Sequence, residues 1–351
     1  MTAAVAGRRT SGRREVGRHI TGLPGQPPPR VAIMTDEIGW HTRQLQAALR
    51  TRGAVGRCID LAYCNIDTSA AWHGLALPGF GKTLPHAVLV RGIAGGTFEQ
   101  VTKRLGVLHA LRVLGVPVYN DARAIERSVD KSMTSLLLHA AGIPSPPTWA
   151  TESPAQAQRT VMREAAAGHA VVLKPLFGSQ GRGLQRVGLV DGVFTPLPAL
   201  ADAASVYGGL AYLQRLVPAT SSPGFDWRVL VIGGRAVVAM QRVSAHWIHN
   251  LAQGARCEAC PLTPDLAALA QAAAAALGMD YAGVDLMPGG AGQAPLQVIE
   301  VNGVAAWQGL QQVTGFNIAA ALVADLLDRK LAGLAPAAAP ASPDRVWPRM
   351  A

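Results

Sequence analysis

Two rhythms of apolar positions divide the chain. Up to about residue 120, short continuous apolar runs at 31–34, 55–61, 86–91 and 116–119 alternate with helical patterns at 40–52 and 97–114. The runs read as buried strands, and strands alternating with helices predict a parallel sheet. A further helix is expected over 130–139, stopped by Pro144, Pro146 and Pro147. Beyond it, the runs at 170–175, 210–217, 226–232 and 235–242 are short, β-branched and separated by glycine-rich turns, with Gly233-Gly234 marking a tight hairpin. Two last runs, 281–287 and 296–302, flank a turn-forming stretch. This half is expected to be mainly antiparallel sheet with helices near 153–167, 264–277 and 315–332, without internal repeats. The fold class is α/β, with an α+β second half.

The last two runs carry the most telling chemistry. Side chains two apart on a strand share a face, so Glu300 and Asn302 point together while Val301 points inward. Paired as a hairpin, the two runs bring Asp285 to the same face. Two carboxylates and an amide oxygen form a hard, all-oxygen site suited to Mg²⁺ (or Mn²⁺) with phosphates completing the shell. A nucleotide is therefore the first ligand to look for. Lys174 ends the apolar run 171–173, where an ammonium is costly unless it meets an anion or water. Four residues later the run Gly178-Ser-Gln-Gly-Arg-Gly forms a flexible loop whose N–H groups can approach phosphates. It is not a Walker loop, since no Gly-Lys-Ser/Thr ends it.

Composition narrows the partners. The 351 residues, 49% hydrophobic, suffice for two or three cores, and the net charge is +10. Six arginines against one glutamate in residues 1–30 supply half of that excess, so the remainder is mildly basic. Nucleic acid is not expected, because the folded part lacks a basic stripe interleaved with aromatics. Anionic small substrates suit the charge. No apolar run approaches the roughly 18–20 residues of a membrane span. The pair Arg8-Arg9 is not followed by the apolar segment of an export signal. No membrane association and a cytoplasmic location are expected. Residues 1–30 and 334–351, rich in Arg/Gly/Pro and Ala/Pro, are expected to be disordered, leaving domains at 31–127 and 128–333. Of the four cysteines, Cys257 and Cys260 form a single CxxC, too few for a tetrahedral zinc site, and read as reduced thiols on a strand.

The order of motifs is specific. Asp130-Lys131…Thr134, Lys174 with its glycine loop, Gln214-Arg-Leu-Val, Asp226-Trp-Arg228, Met240-Gln-Arg242, Asn250, Ala282-Gly-Val-Asp285, Glu300-Val-Asn302 and Thr314-Gly315 fall in the order of the ATP-grasp ligases of the RimK type. The resemblance spans roughly 31–330 and implies an ATP-grasp fold behind a parallel-sheet pre-ATP-grasp domain. It implies ATP and two Mg²⁺ or Mn²⁺ ions as cofactors. Lys131 and Lys174 correspond to the phosphate-binding lysines, Ser179, Gln180 and Gly181 to the lid, and Gln214, Arg215, Leu216 and Val217 to the adenine hinge. Asp226 lies near the nucleotide, and Asp285, Glu300 and Asn302 match the metal ligands. Arg91, Arg228, Arg242, Trp247 and Asn250 are candidates for holding substrate, with Lys174, Arg242 and Asn250 expected to act in the chemistry. The activity implied is ADP-forming carboxylate–amine ligation through an acyl phosphate, with glutamate as the amine.

Three departures from the family pattern stand out. Arg215 replaces an acidic residue, the segment 246–255 replaces an Arg-Ser-Asn-Leu-His-Arg-Gly-Gly pattern, and a usual Ser-Ser-Pro is missing after Asn302. The last two alter the acceptor walls toward a one-carbon carrier, tetrahydromethanopterin or methanofuran-like. Small-molecule partners follow, and a homo-oligomer is compatible. Ribosomal-protein modification and a non-catalytic nucleotide-binding module are the alternatives. Residue by residue, Lys131 could be a solvated helix charge, Arg91 an interface ion-pair partner, and His246 and His249 hydrogen-bonded wall residues.

Overall fold

The computed structural model describes residues 27–69, 73–200, 206–290 and 295–333. The two tails expected to be disordered lie outside these residues, apart from 27–30. The first half is a four-stranded parallel sheet in the order Val55–Ile59, Arg30–Met34, Ala87–Val90, Val118–Tyr119. Its alternation serves two cores. Val31 and Ile33 pack toward Leu45 and Leu49 of helix Trp40–Thr51, while Ala32 and Met34 pack toward Leu108 and Leu111 of helix Phe98–Val113. A capping box between Thr97 and Gln100 starts the second helix.

The second half holds two five-stranded antiparallel sheets. One runs Val193–Thr195, Gln185–Val190, Ala170–Lys174, Ala211–Arg215, Thr148–Thr151. The other runs Arg256–Ala259, Arg235–Ser244, Gly224–Ile232, Tyr281–Pro288, Leu296–Asn302. Gly233 and Gly234 both have positive φ, the geometry of a type I′ hairpin turn, and a Cβ on Gly233 would lie 2.3 Å from the Asp325 carboxylate. The expected α/β class and antiparallel second half are both found. The hairpin of the last two strands also forms, although residues 291–294 of its turn lie outside the described residues.

Several elements were not expected. Strands Gln185–Val190 and Val193–Thr195 join through Asp191-Gly192, both left-handed, a strong hairpin signal in the sequence. Helix Ala122–Val129 precedes helix Lys131–Ala140, whose N-cap Asp130 accepts from Ser132 and Met133 N–H. The single helix expected at 315–332 is corrected to helix Ile318–Ala324 continued by a wider π-type segment, Asp325–Leu331. Asn317 caps it by accepting from the Ala320 N–H, so 315–317 stay outside.

The C-terminal helix packs its buried Ile318, Leu322 and Val323 against helix Trp40–Thr51, so the two halves share a core. Asn120 sutures them further, donating to the Tyr281 and Gly303 carbonyls and accepting from the Asp280 and Tyr281 N–H groups. This fixes the strand carrying Asp285 against the first domain.

Candidate active site

Between the two antiparallel sheets lies a cleft lined by residues from both. Strand Ala170–Lys174 contributes Val172 and Lys174, the loop after it Ser179, Gln180 and Gly181, and the segment after strand Ala211–Arg215 contributes Leu216 and Val217. The opposite sheet contributes Asp226, Arg242, Asp285, Met287, Ile299 and Glu300, and the rim Trp247 and Asn250. Lys131, Gln214 and Arg215 also line it, so the cleft gathers all the expected nucleotide residues. Val172, Leu184, Leu216, Val217, Met287 and Ile299 form an apolar slot suited to a flat base, of which the sequence reading found only the hinge side.

Lys174 donates to Gln214 Oε1 at 2.6 Å, and burial pushes its pKa down to about 8 against the pull of the Glu300 charge. Lys131 donates to the Gly178 carbonyl at 2.6 Å and lies 3.8 Å from Glu300. Burial lowers its pKa too, so the reading of a solvated helix charge does not hold. The lid is shut. Gln253 donates to the Gln180 carbonyl, and a Cβ on Gly181 would lie 2.8 Å from Asn250 Oδ1 and from Ile248. The enclosed volume is about 110 Å³, below the roughly 300–1,000 Å³ of small-molecule sites. A nucleotide therefore enters only as the lid lifts.

The acidic face is organised by strand register. Asp226 stands opposite Arg242, Arg228 opposite Asp285, and Asp285 opposite Glu300, on four successive strands. Arg228 grips both oxygens of Asp285, and Arg242 grips both of Asp226 while reaching Asp285 Oδ2 at 3.0 Å. Burial works against the Asp285 charge, but the two guanidiniums prevail and hold its pKa below the ordinary value. For Asp226, burial and the neighbouring Asp285 charge outweigh the Arg242 and Arg228 guanidiniums, and its pKa is pushed up to about 6. Two arginines thus already neutralise Asp285 without a metal ion. Three carboxylates, Asp226, Asp285 and Glu300, face four cations, Arg228, Arg242, Lys131 and Lys174, leaving a positive balance suited to a triphosphate.

The donor set fits a hard cation. Glu300 is part-exposed with Lys131 as its nearest cation, and Asn302 donates through Nδ2 to the Gly283 carbonyl, turning Oδ1 away from it. Asp285 joins them only by sharing its oxygens with Arg228 and Arg242.

Three expected residues, Asn302, Arg228 and Arg91, do not line the cleft. Arg228 is behind Asp285, and Arg91 donates to the Ala305 carbonyl at 2.7 Å across the domain interface. Its partner there is a carbonyl and not the carboxylate of an ion pair, and its buried Nε has no partner. Arg215 is explained by a residue the sequence reading passed over: it binds Glu164, buried on helix Pro154–Ala166, at 2.8 Å through two nitrogens. His249 is buried with Nδ1 4.0 Å from Asp226, and burial lowers its pKa. Cys257 and Cys260 are free thiols, the first on strand Arg256–Ala259.

A nucleotide cleft between two antiparallel sheets, closed by a glycine lid and floored by paired carboxylates, defines an ATP-grasp ligase. Residues 128–326 match the RimK-like ATP-grasp domain and residues 30–125 the RimK PreATP-grasp domain, and the chain belongs to that family of ATP-dependent, ADP-forming carboxylate–amine ligases. A tetrahydromethanopterin:alpha-L-glutamate ligase of Methanosarcina acetivorans is 30% identical, over 81% of this chain and 94% of that protein. A ligase of the same name from Methanococcus maripaludis is 37% identical, over 61% and 70%. The fold matches that of the ATP-grasp ligase PsnB, solved with a phosphomimetic variant of a minimal precursor, Mg and ADP. The TM-score is 0.62 at 21% identity, covering 86% of this chain and 98% of that one. No helix among the described residues is long and apolar enough to cross a membrane.

Proposed function

We propose that this ligase joins glutamate by an amide bond to a carboxylate-bearing one-carbon carrier, tetrahydromethanopterin or a methanofuran-like molecule. The observation that carries the reading is the near end-to-end similarity to the Methanosarcina ligase. The altered rim supports it: Trp247 lines the cleft with the Arg186 guanidinium 5.6 Å above its ring, an arrangement able to flank a heteroaromatic acceptor.

In this reading the carrier's carboxylate attacks the γ-phosphorus of ATP, releasing ADP and forming an acyl phosphate. The glutamate amine then attacks the acyl carbon, and phosphate leaves. Lys131 and Lys174 neutralise the phosphates, and Lys131 exchanges the lid carbonyl it now holds for a phosphate oxygen. A cation held by Glu300, Asn302 and Asp285 would supply further charge neutralisation at the β- and γ-phosphates. Arg242 and Asn250, at the same end of the cleft, orient the carboxylate. Arg228 reaches it by sharing its fork with Asp285, and Arg91 would leave the Ala305 carbonyl to hold substrate from the first domain.

The test is ADP release with glutamate and each purified carrier, with mass spectrometry of the carrier. Gain of a glutamyl residue on a carrier supports the proposal. Turnover with a ribosomal-protein peptide alone would replace it with protein modification, and no turnover with any acceptor would favour a non-catalytic nucleotide-binding module.

A further inference from the structure

On the seam between the two domains, away from the nucleotide cleft, lies a second cavity of about 600 Å³. Its charged lining is Arg112, Arg123, Arg127, Arg329 and Lys330 against one carboxylate, Asp121. Five cations converge there on one acid, and the carboxylate partners present leave a net positive charge on the lining. Asp121 is engaged by Arg112 at 2.9 Å. Arg329 and Lys330 share Asp280, and Arg329 also holds Asp325. Neither Arg123 nor Arg127 has a carboxylate partner among the described residues. Among the described residues, the side chain of Arg127 makes a long hydrogen bond, 3.4 Å, to the Leu277 carbonyl at the end of helix Pro264–Leu277.

We infer that this cavity is a second anion site, separate from the nucleotide cleft, that takes a small molecule carrying two or more phosphate or carboxylate groups. Its volume, within the roughly 300–1,000 Å³ of ligand sites, holds a molecule larger than a single phosphate. The planar forks of Arg123 and Arg127 suit oxyanions of either kind bidentately. The lining draws Arg112 from the first domain and Arg329 and Lys330 from the C-terminal segment, so a bound polyanion would bridge the domains.

The probes are inorganic tripolyphosphate and citrate, titrated by calorimetry at fixed ionic strength into full-length Lys131→Ala/Lys174→Ala protein, whose nucleotide cleft has lost both phosphate-facing lysines. One site per chain is expected for at least one probe, the stronger naming phosphate or carboxylate as the preferred chemistry. Adding Arg123→Ser, at an exposed position without a partner, should weaken it about tenfold, and Arg123→Ser/Arg127→Ser should weaken it further. Arg43→Ser/Arg50→Ser on exposed helix positions controls for net charge. No binding to the cleft-deficient protein, no change on Arg123→Ser, or an equal loss in the control would overturn the inference.

Discussion

Asp285 and Glu300 face each other across one hairpin, yet neutralising each should have different consequences. Asp285 is almost fully buried, and its two oxygens balance Arg228 and Arg242, whose side chains are only 10% and 5% exposed. Asp285→Asn leaves both guanidiniums to Asp226 alone. Stripping one partner from a buried ion cluster costs about 3–5 kcal/mol, because the remaining charges stay desolvated. At about 2–4 °C per kcal/mol for a chain of this order of size, the melting temperature should fall by roughly 6–20 °C. Glu300 is part-exposed, with its nearest cation 3.8 Å away, so Glu300→Gln should change stability by about 1 kcal/mol or less. Both variants lose a charge that faces the phosphates, so ADP formation should fall at least about a hundredfold in each, equivalent to roughly 2.7 kcal/mol of transition-state stabilisation. Thermal melts and an ADP-release assay on the same preparations decide it. An Asp285→Asn protein melting within about 2 °C of wild type would refute the clamp argument. Near-normal turnover in folded Glu300→Gln protein would refute the metal role. The pH dependence has a sign as well. The lowered Asp285 pKa contributes stability that is present above its ordinary value of 3.8 and lost as pH falls through the lowered one. Wild type should therefore lose its stability advantage over Asp285→Asn on acidification.

Other consequences follow from single contacts. With its pKa near 8, Lys174 loses its charge as pH rises through that value, so ATP affinity measured calorimetrically should decline above pH 8 in wild type; Lys174→Arg should flatten the decline, and a flat wild-type profile would return this lysine to a structural role. Gly181→Ala combines a left-handed backbone with a clash against Asn250 and Ile248, so it should weaken ATP binding while leaving the melting temperature within a few degrees; unchanged affinity would show that the lid does not close this way in the complex. Arg215→Met should cost about 1–3 kcal/mol by leaving the buried Glu164 only the longer contacts to Arg163 and His169, without loss of ATP affinity; lost affinity in a stable variant would put the guanidinium on the nucleotide. Trp247→Ala should raise the carrier's KM or lower kcat with ATP affinity kept, checked by steady-state kinetics; unchanged carrier parameters would remove the indole from the acceptor wall.

What was legible in the sequence was whatever depends on neighbours along the chain. The period of two placed Glu300 and Asn302 on one face, and the hairpin that follows brought Asp285 opposite Glu300. The same local logic was available for Asp191-Gly192, whose hairpin went unread although its turn chemistry is strong. Arg215 shows the opposite limit. As a lone substitution in a hinge it carried no explanation, because Glu164 lies on a helix 51 residues earlier and becomes its partner only when the sheet and helix pack.

The arginine clamp lies beyond that limit for a deeper reason. Arg228, Arg242 and Asp226 were each recognisable as site residues, but their pairing depends on the relative register of strands Gly224–Ile232, Arg235–Ser244 and Tyr281–Pro288. A slip of one residue between the first and third of these would turn Asp285 away from Arg228 and into the apolar core. The buried ion ladder and the apolar residues alternating with it, Val229 and Val284 among them, therefore select the same register from opposite faces of the sheet. That agreement explains why Asp285 can be both a structural anion and a candidate metal ligand. The guanidiniums keep it ionised and aimed without a cation, so in the proposed reaction a cation held with Glu300 would meet a carboxylate already in position, and no buried, unpaired charge would have to be created first.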